Sequence, residues 1–261
     1  MKYQTDAYLI TCLTNMHVGS GEANYGVVDN LVQRDPITDV PIIHSSSLKG
    51  ALREHCKDED GWGEGSEKLN YIFGPDISRN KGESGIGHYK FFDANLIVLP
   101  VRSNKKPFFR ATSNFLLKEI VEKGKALNKV INLTVVENNG KPKIENGNND
   151  VILEDYETET GLQLGAESSK ILGKEPANFS ENDFKELSQR LPVIARNQLN
   201  NGESKNLWYE EVVPRESRFV FFVAMDKNYQ KEFEEAINNK TVQIGGNASI
   251  GYGFCKIEKL S

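Results

Sequence analysis

Cysteine is scarce in this chain. Among 261 residues only Cys12, Cys56 and Cys255 carry thiols, far apart and never as C-x-x-C, which excludes a disulfide framework and a zinc ribbon. They read as buried thiols. Histidine is as sparse: His17, His44, His55 and His88 show no H-E-x-x-H or other ligand spacing, so no structural metal is expected. No apolar stretch approaches the roughly 18 residues of a membrane span, and the opening MKYQTDAYLITCLT lacks a leader's basic flank, apolar core and cleavage site. The expectation is a cytoplasmic protein with no membrane partner. An excess of base is missing too. A net charge of −5 argues against a protein that coats nucleic acid indiscriminately. Internal repeats and low-complexity segments are also absent.

What is present fits a soluble globular chain, with 38% hydrophobic and 26% charged residues and enough length for a real core. The charges are unevenly placed. Residues 98–130 hold eight bases against two acids, and residues 137–160 hold seven acids against two bases. This predicts a basic groove on one face and an acidic edge elsewhere, one able to dock a neighbouring subunit, with ordinary solvated surface as the plain alternative.

Two stretches carry most information. HSSSLKGALR, residues 44–53, reads as a helix start, with serines to accept the orphan N–H groups and an apolar repeat at Leu48, Ala51, Leu52 and Cys56. Lys49 and Arg53, at i and i+4, share one edge and can grip successive phosphates beside the positive end of the helix dipole. A capped surface helix with solvated cations is the competing reading. QIGGNASIGYGF, residues 243–254, places Gly245, Gly246, Gly251 and Gly253 close together before an alternating strand. It is no dinucleotide fingerprint, because no helix and no later ribose-binding acid follow it. Such glycine density lets backbone approach a ligand closely or makes a tight turn.

Along the chain, residues 6–14 alternate as an opening strand, followed by a long glycine-rich loop. Helices are predicted from near Ser46, over SEKLNYIFG, over TSNFLLKEIVEKG with a cap near Ser113 and a glycine stop, over SENDFKELSQRLP, and over KNYQKEFEEAINN. Residues 87–103 read as a strand or hairpin, and VINLTVV and VILEDYETETGLQLG as short strand-like runs flanking a polar loop, a surface insertion or mobile tip. LWYEEVVPRESRFVFFVAM reads as a hairpin about Pro214 and Glu216. The order predicts an α+β, ferredoxin-like core with long insertions. Residues 173–182 match no motif.

HVGSG, GVVDNLVQRD, HSSSLKGALR, FFDANLIVLPVRS, ARNQL, LWYEEVVPRES and GGNASIGYGF, in this order, resemble the RAMP superfamily. Within it they resemble the backbone-subunit family that forms the fourth component of type III-B CRISPR Cmr effectors. The resemblance runs from about Tyr8 to Ile257, and implies one RAMP domain over 1–261, an RRM-like palm with an inserted thumb-like β-hairpin. It further implies copies of the chain stacked helically along a CRISPR guide RNA, with other Cmr-complex subunits, and complementary target RNA cut at regular intervals in antiviral defence. The family's catalytic aspartate falls on Asp29. The implied activity is a metal-dependent endoribonuclease within the assembled ribonucleoprotein. A catalytically silent guide-RNA scaffold is the alternative. A stand-alone endonuclease that processes precursor transcripts would need a clearer histidine arrangement.

An aspartate of ordinary pKa, about 3.9, is a feeble base at pH 7 but a good ligand for a hard cation. Asp29 is therefore expected to hold Mg²⁺ or Mn²⁺ transiently at the cleavage site. His17 can shuttle a proton, touch a phosphate or brace the glycine turn. Glu210 and Glu211 are candidates for a second carboxylate, one facing the site and the other solvated. Asp93 can serve the site or act as a structural acceptor. RNA contacts are expected from Ser47, Lys49, Arg53, Gly245, Gly246 and Asn247, and more weakly from Arg196 and residues 98–110. Trp208 and Tyr209 can stack on bases, with core packing the favoured reading.

Overall fold

In QTDAYLITC successive side chains point to opposite sides, so β1 (Gln4–Cys12) sends Tyr8, Ile10 and Cys12 into one apolar layer and Ala7 and Leu9 into another. The computed structural model describes residues 3–21, 26–75, 85–134, 136–146 and 150–260. Residues 22–25 of the glycine-rich loop and 147–149 of the polar loop lie outside the described residues.

After β1 come β2 (Ile42–Ile43), α1 (Ser45–Lys57), α2 (Glu67–Phe73), β3 (Lys90–Phe91), β4 (Ala94–Val101), β5 (Phe109–Ser113) and α3 (Asn114–Ala126). The polar region supplies β6 (Lys143–Ile144), β7 (Ile152–Leu153), β8 (Tyr156–Glu157) and β9 (Glu159–Thr160), then α4 (Ala166–Leu172), β10 (Pro176–Phe179) and α5 (Glu181–Gln189). The last third holds β11 (Val193–Asn200), β12 (Glu203–Glu211), β13 (Arg218–Met225), α6 (Gln230–Ile237), β14 (Thr241–Gln243) and β15 (Phe254–Leu260).

Among the described residues the main sheet runs β14-β15-β1-β13-β4-β5-β10-β6-β9, with β2 on β4 and β3 on β13. Its centre, β15-β1-β13-β4, is antiparallel; α1 lies between β1 and β4 in sequence and α6 between β13 and β15. This is the expected ferredoxin-like arrangement, and most of the inserted chain lies between β4 and β13. The sheet is covered on both faces. Apolar residues of α1, α2 and α6 join Phe219, Phe221 and Val223 of β13 on one side, while Leu117 and Ile120 of α3 and Ile171 and Leu172 of α4 join Val220 and Phe222 on the other. Double coverage is why RFVFFVAM reads as a continuous apolar run.

Several expectations are corrected. β13 does not pair with the LWYEE strand: β12 pairs with β11 as a separate two-stranded ribbon through the Asn201–Gly202 turn, because the run after Pro214 is apolar enough for the sheet centre while residues 203–209 are not. Trp208 is only half-buried and Tyr209 is 38% exposed, so neither is core; with Val193 and Leu207, Tyr209 gives the ribbon an exposed apolar face. The described residues of VINLTVV form no strand. Gly124 does not stop α3, which continues to Ala126: a Cβ there would lie 2.6 Å from the Lys129 carbonyl, so the glycine serves close packing.

The basic and acidic regions are folded onto each other rather than onto separate faces. Arg102 pairs with Glu154, Lys105 with Asp150 and Lys118 with Glu137, while Lys141 within the acidic stretch pairs with Glu157. The predicted separation of charge is lost.

Candidate nucleic-acid interface

The glycine-rich loop after β1 returns against the root of the β11–β12 ribbon, and this brings the candidate acids together. The Asp29 and Asn30 amides both donate to the Tyr209 carbonyl at 3.1 Å, and Tyr209 N–H donates to Asp29 Oδ2 at 2.7 Å. Asp29 is exposed, and no further partner of its carboxylate occurs among the described residues.

Glu210 and Glu211 point to opposite sides of β12, but neither is solvated: they are 6% and 5% exposed. The correction has a simple cause, since loops cover both faces of the ribbon at its root. Glu210 accepts from Arg196 Nε at 3.0 Å, Trp208 Nε1 at 3.0 Å and Asn247 Nδ2 at 2.9 Å. Burial acts to raise its pKa, but the hydrogen bonds from Trp208 and Arg196 and the charges of His17 and Arg196 prevail and hold it below the ordinary carboxylate value. Glu211 accepts from Val32 N–H at 3.1 Å and Arg34 Nη2 at 2.6 Å. Its carbonyl lies 2.7 Å from His17 Nδ1. A carbonyl only accepts, so Nδ1 donates to it, and Nε2 is the ring nitrogen left facing Gly19.

The second glycine stretch closes the same region. Gly245 has φ +89° and a Cβ there would meet the His17 carbonyl at 2.3 Å, so only glycine fits; Gly246 N–H donates to that carbonyl at 2.9 Å. Asn247, at φ +64°, turns its amide onto Glu210. The Arg196 guanidinium stacks over Tyr252, 4.3 Å from the ring centroid, and its buried Nη2 has no partner among the described residues.

Helix α1 begins nearby. The serines do not cap it as expected. Gln33 Oε1 accepts from His44 N–H at 2.8 Å and Asp93 Oδ1 from Ser45 N–H at 2.6 Å, so Asp93 is a structural acceptor. Gln33 Nε2 donates to Ser47 Oγ at 2.9 Å, leaving that hydroxyl's proton free for another acceptor. Burial, then the charges of Lys90 and Arg53, lower the Lys49 pKa, so three cations lie within electrostatic reach of one another. Lys49 has no ion-pair partner among the described residues, whereas Arg53 is bonded to Glu64. Gln33 and Arg34 were not singled out in the sequence; the apolar-polar run LVQRD around them offers only a buried glutamine and a guanidinium as a signal.

A groove of about 540 Å³, lined by Leu99, Arg102, Phe108, Leu191 and Pro214 among others, takes in part of the weakly expected 98–110 stretch but none of the individually named candidates. A strand of RNA laid over loops and a helix needs no deep cavity.

Residues 9–256 match the RAMP superfamily model. The chain belongs to the RAMP superfamily. It is 30% identical to the CRISPR system Cmr endoribonuclease Cmr4 of Pyrococcus furiosus, over 96% of this chain and 95% of that protein. Among solved structures, oligomeric Cmr4 from Pyrococcus furiosus superposes with TM-score 0.76 at 24% identity, covering 100% of this chain and 99% of that one. A chain of the type III-B Cmr-beta complex bound to cognate target RNA superposes with TM-score 0.77 at 21% identity, covering 99% and 98%. The RAMP match includes every candidate residue from His17 to Asn247.

In this RAMP chain both faces of the palm sheet are buried, so bases cannot stack on it as they do on an open RRM sheet; the candidate residues lie instead on the loops, the ribbon and α1. No group of three or more His, Cys, Asp or Glu that could hold a metal occurs among the described residues. A Mg²⁺-like ion brought in with a substrate phosphate and water could use a single carboxylate, and Asp29 offers an accessible oxygen. No described helix is long and apolar enough to cross a membrane.

Proposed function

We propose that this chain is a guide-RNA-binding backbone subunit of a type III-B Cmr effector, and that it cleaves complementary target RNA through Asp29. The observation that carries the reading is the exposed Asp29 carboxylate, fixed through one oxygen to the backbone of the ribbon root. Support comes from the relative named as a Cmr endoribonuclease and from the likeness to chains solved as an oligomer and in a target-bound complex.

In this reading Lys49 and Arg53 bind consecutive guide phosphates, with Ser47 and the backbone near Gly246 beside them. The ribbon displaces a nucleotide of the guide–target duplex, which lets the scissile phosphate align next to Asp29. Asp29 would hold a divalent cation recruited with that phosphate, and the cation supplies charge neutralisation when bound. With Nδ1 turned to the Glu211 carbonyl, His17 would use Nε2 to accept a proton or contact a phosphate. Copies of the chain stack along the guide, next to other subunits of the complex.

The test is cleavage of complementary RNA by the reconstituted guide-loaded complex in Mg²⁺, comparing wild type with Asp29→Ala and measuring target binding in parallel. Regularly spaced products that vanish in the variant while binding is kept support the reading. Unchanged products make the chain a scaffold and place the nuclease elsewhere.

A further inference from the structure

Near its C-terminal end β12 is paired on both edges. β11 lies antiparallel along one edge, and the loop lies along the other, where Asn30 bridges to Glu210 in parallel. Glu211 uses all its polar groups there. Its N–H donates to the Asn30 carbonyl at 2.9 Å, its carbonyl receives His17, and its carboxylate oxygens receive Val32 N–H and Arg34. Arg34 extends the link, with Nη1 donating to the carbonyls of Asp39 at 2.8 Å and of Ser188 in α5 at 3.1 Å. Its side chain is 16% exposed and that of Glu211 is 6% exposed.

The Asp29 carboxylate, by contrast, is exposed, and its single bond to Tyr209 N–H competes with water. The Asp29 and Asn30 amide bonds to the Tyr209 carbonyl are likewise made between exposed residues, so the restraint at Asp29 itself is weak. The half-buried Arg34–Glu211 pair is better shielded from solvent, and Arg34 lies five residues along the same segment. We propose that Arg34 and Glu211 are positioning residues: their ion pair fixes the Asp29 loop to the root of the ribbon, so that ribbon and loop move as one body and the seating of the ribbon on RNA sets where Asp29 stands. A two-stranded ribbon is marginal by itself, and the loop acts as its third strand at the root. The proposal rests on the reading of Asp29 as the cleavage residue.

The experiment uses the assembled guide-loaded complex carrying Arg34→Gln, Glu211→Gln, both together, Arg34→Lys, or Asp29→Ala. It reads single-turnover cleavage at saturating target, target affinity, and amide hydrogen exchange. The expected result is a loss of about ten-fold or more in rate for either single Gln variant, with affinity within about two-fold and the double variant no slower than the slower single. Arg34→Lys, which keeps a cation for Glu211, recovers part of the rate. Exchange at Val32 and Glu211 rises, while β1 and β13 stay protected. Wild-type cleavage by Arg34→Gln with an inactive Asp29→Ala overturns the proposal and leaves the reading of Asp29 standing. Affinity that falls with the rate, or loss of protection in β1 and β13, also overturns it, because the pair would then be general scaffolding. Active Asp29→Ala defeats the underlying reading instead; unchanged exchange at Val32 in Arg34→Gln would then show that the pair does not hold the loop.

Discussion

Glu210 shows how much one side chain organises. It takes hydrogen bonds from the ribbon through Arg196 and Trp208, and from the C-terminal glycine loop through Asn247. Removing it leaves the half-buried Arg196 guanidinium without its counter-charge, and Glu210→Ala is expected to cost about 1.5–3 kcal/mol in urea unfolding. Because the folded carboxyl titrates below its ordinary value, its contribution is complete above the unfolded value of about 4.3 and is lost as pH falls through the folded value. Urea stability should therefore fall on acidification below about pH 4.3, and less steeply in Glu210→Gln. The glycines make a sharper contrast. Gly245→Ala forces a Cβ onto the His17 carbonyl at positive φ and should lower the thermal midpoint by several degrees, while Gly246→Ala, whose Cβ would lie 3.9 Å from that carbonyl, should stay near wild type.

At the scale of the element, α1 combines an N-terminal turn held by Gln33 and Asp93 with a Lys49 that has no ion-pair partner among the described residues and a paired Arg53. If α1 binds guide phosphates, Lys49→Ala should weaken guide binding at low salt and reduce the slope of log affinity against log salt by about 0.7. Arg53→Ala should do less, since Glu64 already offsets its charge. Both can be read from guide titrations at several salt concentrations. The helix itself was legible in the sequence because Leu48, Leu52 and Cys56 recur at helical spacing, and all three are buried. Its caps were not legible, because Gln33 and Asp93 come from residues 11 and 48 positions away. The same limit explains the misplaced hairpin. LWYEE and RFVFF are adjacent in sequence and both strand-like, but only pairing energies set by β1 and β4 decide that β13 joins the sheet and β12 does not.

Across the whole molecule, charge bookkeeping by segment failed for a related reason: oppositely charged segments distant in sequence met each other first. Arg102 and Lys105, which composition marks as a basic face, are bonded to Glu154 and Asp150. Arg102→Ala with Lys105→Ala should leave guide affinity within about two-fold of wild type, as expected when the charges removed are already neutralised at the surface. What was legible is the order of core elements, since β1, β13 and β15 carry runs that only a sheet can bury, and the two glycine loops that the fold brings together around His17. The most direct test of the central claim is single-turnover cleavage of complementary RNA by the guide-loaded complex carrying Asp29→Asn, whose side-chain oxygen can still accept from Tyr209 N–H. The account predicts that regularly spaced products disappear while target affinity and the exchange protection of residues 30–34 are kept. Cleavage at the wild-type rate would contradict it, and would leave this chain holding RNA that another residue or subunit cuts.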